Sequence, residues 1–587
     1  MGMGRSLMPR RAWWTALALG SLWAALLLVP VLAREGWPVN HDGLAPVVRM
    51  AALLGQWKEG HWIALWSTQQ QAGFGSPMLG LYHKLHMYFS AGVLAATGSV
   101  KAALVVPVGV FMVAGFCGMA FCLRQVLPPR HHALAWIGAA LLPVSNYATT
   151  DWLVRGAMAE FAAMMLLPWL FAWCLLLLRT GRWRPWIGVL LALLALAHAT
   201  LALFGLIPLG IAFLLACRRW GTGAWQWRRP AFWSVLCAVA CLLPFVAPTW
   251  ALARFSRVDR LLLHGLTPAT SGQPWAGFFW DPAWRWGGSE FITLQLDLAL
   301  WALLAVFLAA WVRSTRDAPQ PGGSAAAAGD QGVAWFLALT LAAMAWLQTP
   351  WSHWLYALVP GAQYLQFAWR LLAYLTVALI VCAVIGLAWC GDLLARRWPG
   401  MGARAGAALA LLVLACTAKP KMWWHLRQLA WYPQEQLTEA LGDDNYWAFG
   451  EFLPLVDWTT GPGLLDAQSQ AIAWMAALPA QTCTLAEGRA PGDHQERRAA
   501  FWRVQCPQAS EVMLPVFLAP GMELEQRGDR DGRWAPAAMA RTCSDPRVRI
   551  ALPAGETLLH LRYPNWRRTV LAALRRQPFD FRRDCAD

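Results

Sequence analysis

Charge is what this chain has least of. Acidic and basic residues make up 14% of its 587 residues against 58% hydrophobic, with a mean hydropathy of +0.40, whereas a soluble domain carries about 25% charged residues. A wholly water-soluble protein is excluded. Lysine is scarcer still: Lys58, Lys84, Lys101, Lys419 and Lys421 are all there are, so arginine carries most of the basic charge behind the formal +16. The chain also lacks a glycine-rich phosphate loop, a nucleophile elbow and a metalloprotease helix, which leaves cytoplasmic ATP chemistry without support. No Cys/His spacing matches a structural zinc site. The excess of positive charge does not point to nucleic acid, because the arginines sit in short clusters between apolar runs and no nucleic-acid-binding motif accompanies them.

Long apolar runs are what the chain has in plenty. They recur from Ala12 to Ala418, each near the length that crosses a hydrocarbon core of about 30 Å at about 1.5 Å per residue. The first, Ala12 to Ala33, follows Arg5, Arg10 and Arg11 and is longer than the apolar core of a cleavable signal, so it reads as an uncleaved helix with a cytoplasmic start. Arginines cluster at Arg124/Arg130, Arg179/Arg182/Arg184, Arg218/Arg219/Arg228/Arg229, Arg313/Arg316 and Arg396/Arg397/Arg404. If all are cytoplasmic, the chain crosses an even number of times between neighbouring clusters. The unbroken apolar stretch Trp186 to Cys217 is then a hairpin turning near His198, Ala199 and Thr200. The same rule splits 133–178 at Ser145 to Glu160, 231–312 around an outer loop at about 252–290, and 332–391 near Pro350 to Ala368. Asp317 to Gly332 reads as a flexible linker by composition. A last span from Arg404 to Ala418 would deliver 419–587 to the outer side. The expected fold is a polytopic α-helical membrane protein of about eleven spans with a transmembrane domain at 1–418, a first outer loop at 34–101, and a soluble, β-rich extracytoplasmic domain at 419–587.

Nine of the thirteen cysteines lie in or beside apolar spans, where cysteine acts as a small buried hydrophobe. Cys483, Cys506, Cys543 and Cys585 fall in the C-terminal domain, and an even number in an oxidising compartment suggests two disulfides of undetermined connectivity, with free thiols as the alternative.

The residues able to carry chemistry gather in the outer segments. His41 and Asp42 lie just beyond a helix end, where a carboxylate meets both lipid headgroup and water; the alternative is that Asp42 caps the next helix. Arg49 follows on that helix. The second outer turn holds Asp151, Arg155 and Glu160, and Glu160 begins an apolar span where an unpaired carboxylate is costly. It is either functional or held in an inter-helix ion pair. His198 stands in the hairpin turn, either functional or a hydrogen-bonded core histidine. Arg370 begins an inward-running span, placed either to grip a phosphate with two hydrogen bonds or to snorkel to headgroups.

Asn-His-Asp-Gly with Arg49, Gly-Phe-Gly-Ser-Pro at 73–77, Arg-Gly-Ala-Met-Ala-Glu at 155–160, His198, Gln-Phe-Ala-Trp-Arg-Leu-Leu around Arg370, Gly-Glu-Phe-Leu-Pro at 450–454 and Tyr-Pro-Asn-Trp-Arg at 563–567 follow one another in that order. Together they resemble a bacterial family of large membrane proteins labelled 6-pyruvoyl-tetrahydropterin synthase-related, or YfhO-like, similar in layout to the GT-C glycosyltransferases. The resemblance implies a GT-C-like enzyme of the bacterial inner membrane with its C-terminal domain in the periplasm. Such an enzyme moves a sugar from a polyprenyl-phosphate donor to a glycan, lipid or protein acceptor. It implies Asp42, with His41 and Glu160, as catalytic, and Arg49, Arg155, His198 and Arg370 as substrate-binding. GT-C enzymes often carry two adjacent acids in the first loop; here Asp42 follows His41, and Glu35 and Glu59 are the nearest carboxylates. No cofactor or resident metal is therefore assigned, and a divalent metal is left open. The rival readings are a transporter or flippase of a lipid-linked glycan, and a non-catalytic envelope assembly protein.

Overall fold

The computed structural model describes residues 8–71, 73–221, 226–256, 267–268, 294–316, 325–398, 404–415, 417, 430–441, 482–487, 497, 499–528, 532–542 and 545–575. It is a membrane protein: a bundle of apolar helices joined to a C-terminal β-sheet domain.

Each of the eleven expected spans coincides with a described helix, but they are not alike. Six are long and apolar enough to cross a bilayer unaided: Arg10–Leu32, Val100–Val126, Met158–Thr180, Ala199–Trp220, Arg228–Phe255 and Ala368–Arg397. Gln331–Trp346 reaches that length only with Pro350–Leu358, across a 92° bend. His132–Val144, Trp186–Ala197, Leu298–Arg313 and Arg404–Ala415 are shorter, so length alone does not make spans of them.

Close packing of small residues holds the centre together. Gly115 and Gly118 face the helix Met158–Thr180, where an added Cβ would lie 2.5 Å from Met165 Sδ and 2.5 Å from Trp169 Nε1. Trp169 donates to the Ala114 carbonyl at 2.9 Å and stacks on Trp13. The arginine clusters come together at one end. Arg130 makes two hydrogen bonds to Asp392, at 3.0 and 2.8 Å, and His131 Nε2 lies 2.8 Å from the same carboxylate.

The 186–220 segment reverses as a hairpin. Trp183, just before it, lies 6.1 Å from Phe213 near its end, and Trp220 donates to the Leu178 carbonyl at 3.3 Å. At the turn, His198 is extended, with φ −160° and ψ 102°, between helices ending at Ala197 and starting at Ala199. The linker expectation needs correction in part, because residues 325–332 are the first turns of the helix Ala325–Trp346. An alanine run has the highest intrinsic helix propensity and extends the helix it precedes. Residues 317–324, most of the expected 252–290 loop, and the boundary at 418/419 lie outside the described residues.

In the C-terminal domain, Ala499–Cys506 alternates buried and exposed along its length, the period-two pattern of a sheet with one wet face. It is the second strand of an antiparallel five-stranded sheet, in the order Thr484–Glu487, Ala499–Cys506, Gly555–Arg562, Glu523–Gly528 and Ala535–Pro536. A second sheet pairs Ser510–Phe517 with Arg547–Leu552. Val504, Val516, Val548 and Leu559 are buried between the two. The domain is seated on the first outer loop: Phe517 stacks on Phe74 and its N–H donates to the Phe74 carbonyl at 3.0 Å. Trp37–Pro38 pairs with Trp431–Tyr432.

Cys483 and Cys506 form a disulfide joining neighbouring strands; Cys543 and Cys585 lie outside the described residues. Replacing Cys483 and Cys506 by serine is expected to destabilise the sheet domain by about 2–4 kcal/mol. Alkylation of Cys483 in unfolded, unreduced protein would remove both the pair and this expectation.

Candidate functional site

At the bundle end opposite the arginine clusters, a buried ionic knot forms around Glu160. The turn before it makes this possible. Thr150–Arg155 is a single wide π-helical turn ended by Gly156 in the left-handed region at φ 72°, and a side chain on Gly156 would meet Asn40 at 2.3 Å. The widened turn lets Arg155 reach two carboxylates: Nη1 donates to Asp151 at 2.5 Å, and Nη2 lies 3.0 Å from Glu160 Oε2. Arg370 arrives from the start of the helix Leu372–Arg397, its Nε 3.2 Å from the same Glu160 oxygen. The Tyr147 hydroxyl donates to the other oxygen.

Glu160 is 2% exposed, so two arginines and a phenol surround a carboxylate that water does not reach. Aromatic faces complete the enclosure, with Arg155 4.4 Å from the centroid of the Trp369 ring and Arg370 5.2 Å from that of Phe367. Arg370 is further fixed by Nη1, which donates to the Leu365 carbonyl at 2.9 Å and to Gln366 Oε1 at 3.2 Å. Gln366 itself has φ 62°, a strained value for a residue with a side chain. Among the described residues, Nη2 of Arg370 makes no hydrogen bond or ion pair.

The first-loop motif lies directly on this turn. The His41 and Asp42 amides donate to the Val154 and Arg155 carbonyls at 3.2 and 2.8 Å. The helix Ala45–Lys58 begins after Leu44 without a side-chain cap, so Asp42 is not the cap that the sequence also allowed. Its carboxylate is partly exposed and takes no hydrogen bond or ion pair among the described residues. His41 is exposed beside it. Arg49 places its guanidinium 3.8 Å from the centroid of the Tyr82 ring. Burial raises the Tyr82 phenol above its ordinary value, and the charges of Arg49, Asp42, Arg370 and Arg155 all act on it. Asp42, Arg49, Arg155 and Arg370 thus all act on Tyr82, and Glu160 joins them through its ion pairs with Arg155 and Arg370.

His198 enters through Tyr82's neighbour. Its ring stacks on His83 at 4.2 Å, and the Lys84 amide donates to the Leu196 carbonyl at 2.8 Å. The Leu201 amide donates to His198 Nδ1 at 3.4 Å, and Thr200 Oγ1 lies 3.1 Å from the same atom. With Nδ1 accepting from a backbone amide, the neutral ring carries its proton on Nε2. His83 is held well below the ordinary imidazole range by burial, then by His198 and the charges of Arg370, Lys84 and Arg49. Burial alone brings Lys84 down to about 7.

Tyr82, His83, Lys84, Tyr147 and Trp369 were not among the expected site residues. The available signal was a Tyr-His-Lys triplet in the apolar first loop, with one of only five lysines of the chain. Among the described residues no three His, Cys, Asp or Glu side chains gather to hold a divalent cation, and Asp151 and Glu160 face arginines.

No family model and no curated protein matches the chain, so the YfhO-like label has no support beyond the motifs themselves. Among solved structures, the chain is similar to the oligosaccharyltransferase AglB from the archaeon Archaeoglobus fulgidus, in complex with an inhibitory peptide and a dolichol-phosphate. The TM-score is 0.43 and the identity 14%, over 78% of this chain and 59% of that one. The chain spans less than two thirds of that protein's length, and a likeness so distant decides neither family nor activity.

Proposed function

We propose that the chain is an integral membrane glycosyltransferase of GT-C type, moving a sugar from a polyprenyl-phosphate donor to an acceptor at the outer face. The observation that supports this best is the fixed guanidinium of Arg370, anchored through Nε and Nη1 with Nη2 making no bond among the described residues, together with Asp42, a carboxylate that takes no hydrogen bond or ion pair among the described residues and acts, like Arg370, on Tyr82. A departing lipid phosphate needs a preorganised cation in a water-poor site. An acceptor hydroxyl needs a base, and a partly exposed carboxylate suffices. His198 Nε2–H is a second donor for the anion. Arg155 and Glu160 are positioning residues in this reading, since their charges are taken up by one another, Asp151 and Arg370.

The rival of a glycan transporter requires polar groups along a path at mid-membrane depth. Below the knot, Met158–Thr180 and Leu372–Arg397 are packed on Phe161, Leu167, Phe171, Leu379 and Val381, an apolar core that favours chemistry at one end.

Incubating the purified protein with polyprenyl-phosphate sugars and following donor hydrolysis or transfer tests the proposal. Arg370→Lys is expected to fold but to bind the donor at least about tenfold more weakly, or about 1.4 kcal/mol. Lysine keeps the charge yet cannot hold Glu160 and a phosphate with one planar group. Donor affinity equal to wild type in that variant, on protein of verified fold, would sink the phosphate role.

A further inference from the structure

The helix Trp566–Arg575 follows the last strand of the sheet domain, yet it packs against a transmembrane helix. Its Trp566 indole donates to the Pro244 carbonyl at 2.8 Å, within Arg228–Phe255. Pro244 stands about 16 Å before the outer end of that helix, at about 1.5 Å per residue. Trp250, with the Arg254 guanidinium 4.8 Å from its ring centroid, marks the aromatic and basic belt between the two. The start of the short helix is therefore held about 9 Å to the membrane side of Trp250, within the depth at which interfacial helices lie.

One of its faces is used. Thr569 is buried, its hydroxyl donating to the Pro520 carbonyl, and Arg568 pairs with Glu523 at 2.7 Å. The other face is bare: Leu571 is 47% and Leu574 68% exposed, with Arg567 and Arg575 exposed on the same side. This apolar surface adjoins the helix whose Leu243, Val246 and Trp250 are also exposed, as lipid-facing residues of a span are.

We propose that Trp566–Arg575 lies in the outer leaflet as an interfacial helix, with Leu571 and Leu574 among acyl chains and Arg567 and Arg575 on anionic phosphates. It would fix the sheet domain to the membrane against the helix Arg228–Phe255. Arg567 and Arg575 stand one turn to either side of Leu571 on the same face, where long arginine side chains reach headgroup phosphates while the leucines enter the acyl layer.

The test is a photo-crosslinking residue placed singly at Leu571, Leu574 and, as control, the exposed Phe501 on the sheet. The full chain is reconstituted in phosphatidylcholine vesicles with and without phosphatidylglycerol, and adducts are read by mass spectrometry. Lipid adducts at 571 and 574 but not at 501 are expected, with severalfold higher yield when phosphatidylglycerol is present. Adducts to a second copy or to the chain's own residues, or water-quenched probe alone, would overturn the lipid assignment. Equal yields in both vesicles would overturn its anionic part. Because the readout is contact with lipid, it succeeds or fails independently of transferase activity.

Discussion

Asp42→Asn is expected to leave the protein folded, inserted and able to bind a polyprenyl-phosphate donor, while sugar transfer falls by about 10²–10⁴-fold, the usual contribution of a positioned general base. Asparagine has the shape of aspartate and the same backbone amide, so the hydrogen bond from residue 42 to the Arg155 carbonyl at 2.8 Å remains. The helix that follows is not capped by this side chain, so losing the negative charge removes no cap. What does change is the ability to accept the acceptor's proton. Measuring donor binding and transfer on the same preparation separates the outcomes. Unchanged transfer would remove Asp42 from the chemistry; loss of transfer together with loss of thermal stability would make it a structural residue after all. The variant also reports on its surroundings, because the charge at residue 42 contributes to the raised Tyr82 phenol, which burial chiefly sets.

Much of this architecture was legible in the sequence, and the reasons differ from element to element. The hairpin at His198 was readable because arginine placement is a global constraint: clusters on both sides forced an even number of crossings where propensity saw one long helix. In the C-terminal domain only its β-rich character was read; the strand Ala499–Cys506 was not located, although its buried positions recur with period two. The ionic knot was readable only in part. An ion pair of Glu160 between helices was one of the two readings, while the five-residue spacing of Arg155 and Glu160 spoke only against a pair within one regular helix, which brings together residues three or four apart. The π-helical turn and the left-handed Gly156 overcame that spacing, and the four-residue spacing of Asp151 and Arg155 supplied the second bond. Neither Tyr147 nor Trp369 announced itself, because each contacts the knot through tertiary packing. The terminal helix Trp566–Arg575 was missed for another reason: it is short and rich in arginine, so no apolar run marks it.

Glu160→Gln is expected to lower stability by about 3–5 kcal/mol, the cost of removing one partner from a buried ion cluster. The glutamine amide can still accept from the Tyr147 hydroxyl, so the change isolates charge from shape. Without that charge, Asp151 is the one carboxylate left to Arg155 among the described residues, and Arg370 keeps hydrogen bonds to the Leu365 carbonyl and Gln366. Arg155 and Arg370 side chains are 8% and 14% exposed, so water does little to replace the lost carboxylate. Removing a cation as well should then cost less than the sum of the separate changes: Arg370→Met in the Glu160→Gln background is expected to show a coupling of about 0.5–3 kcal/mol, as residues sharing one ionic network do. Thermal unfolding of the solubilised single and double variants measures this directly. Should Glu160→Gln retain wild-type stability while transfer is abolished, Glu160 would be acting on the substrate, and its role as the anchor of two arginines would be lost.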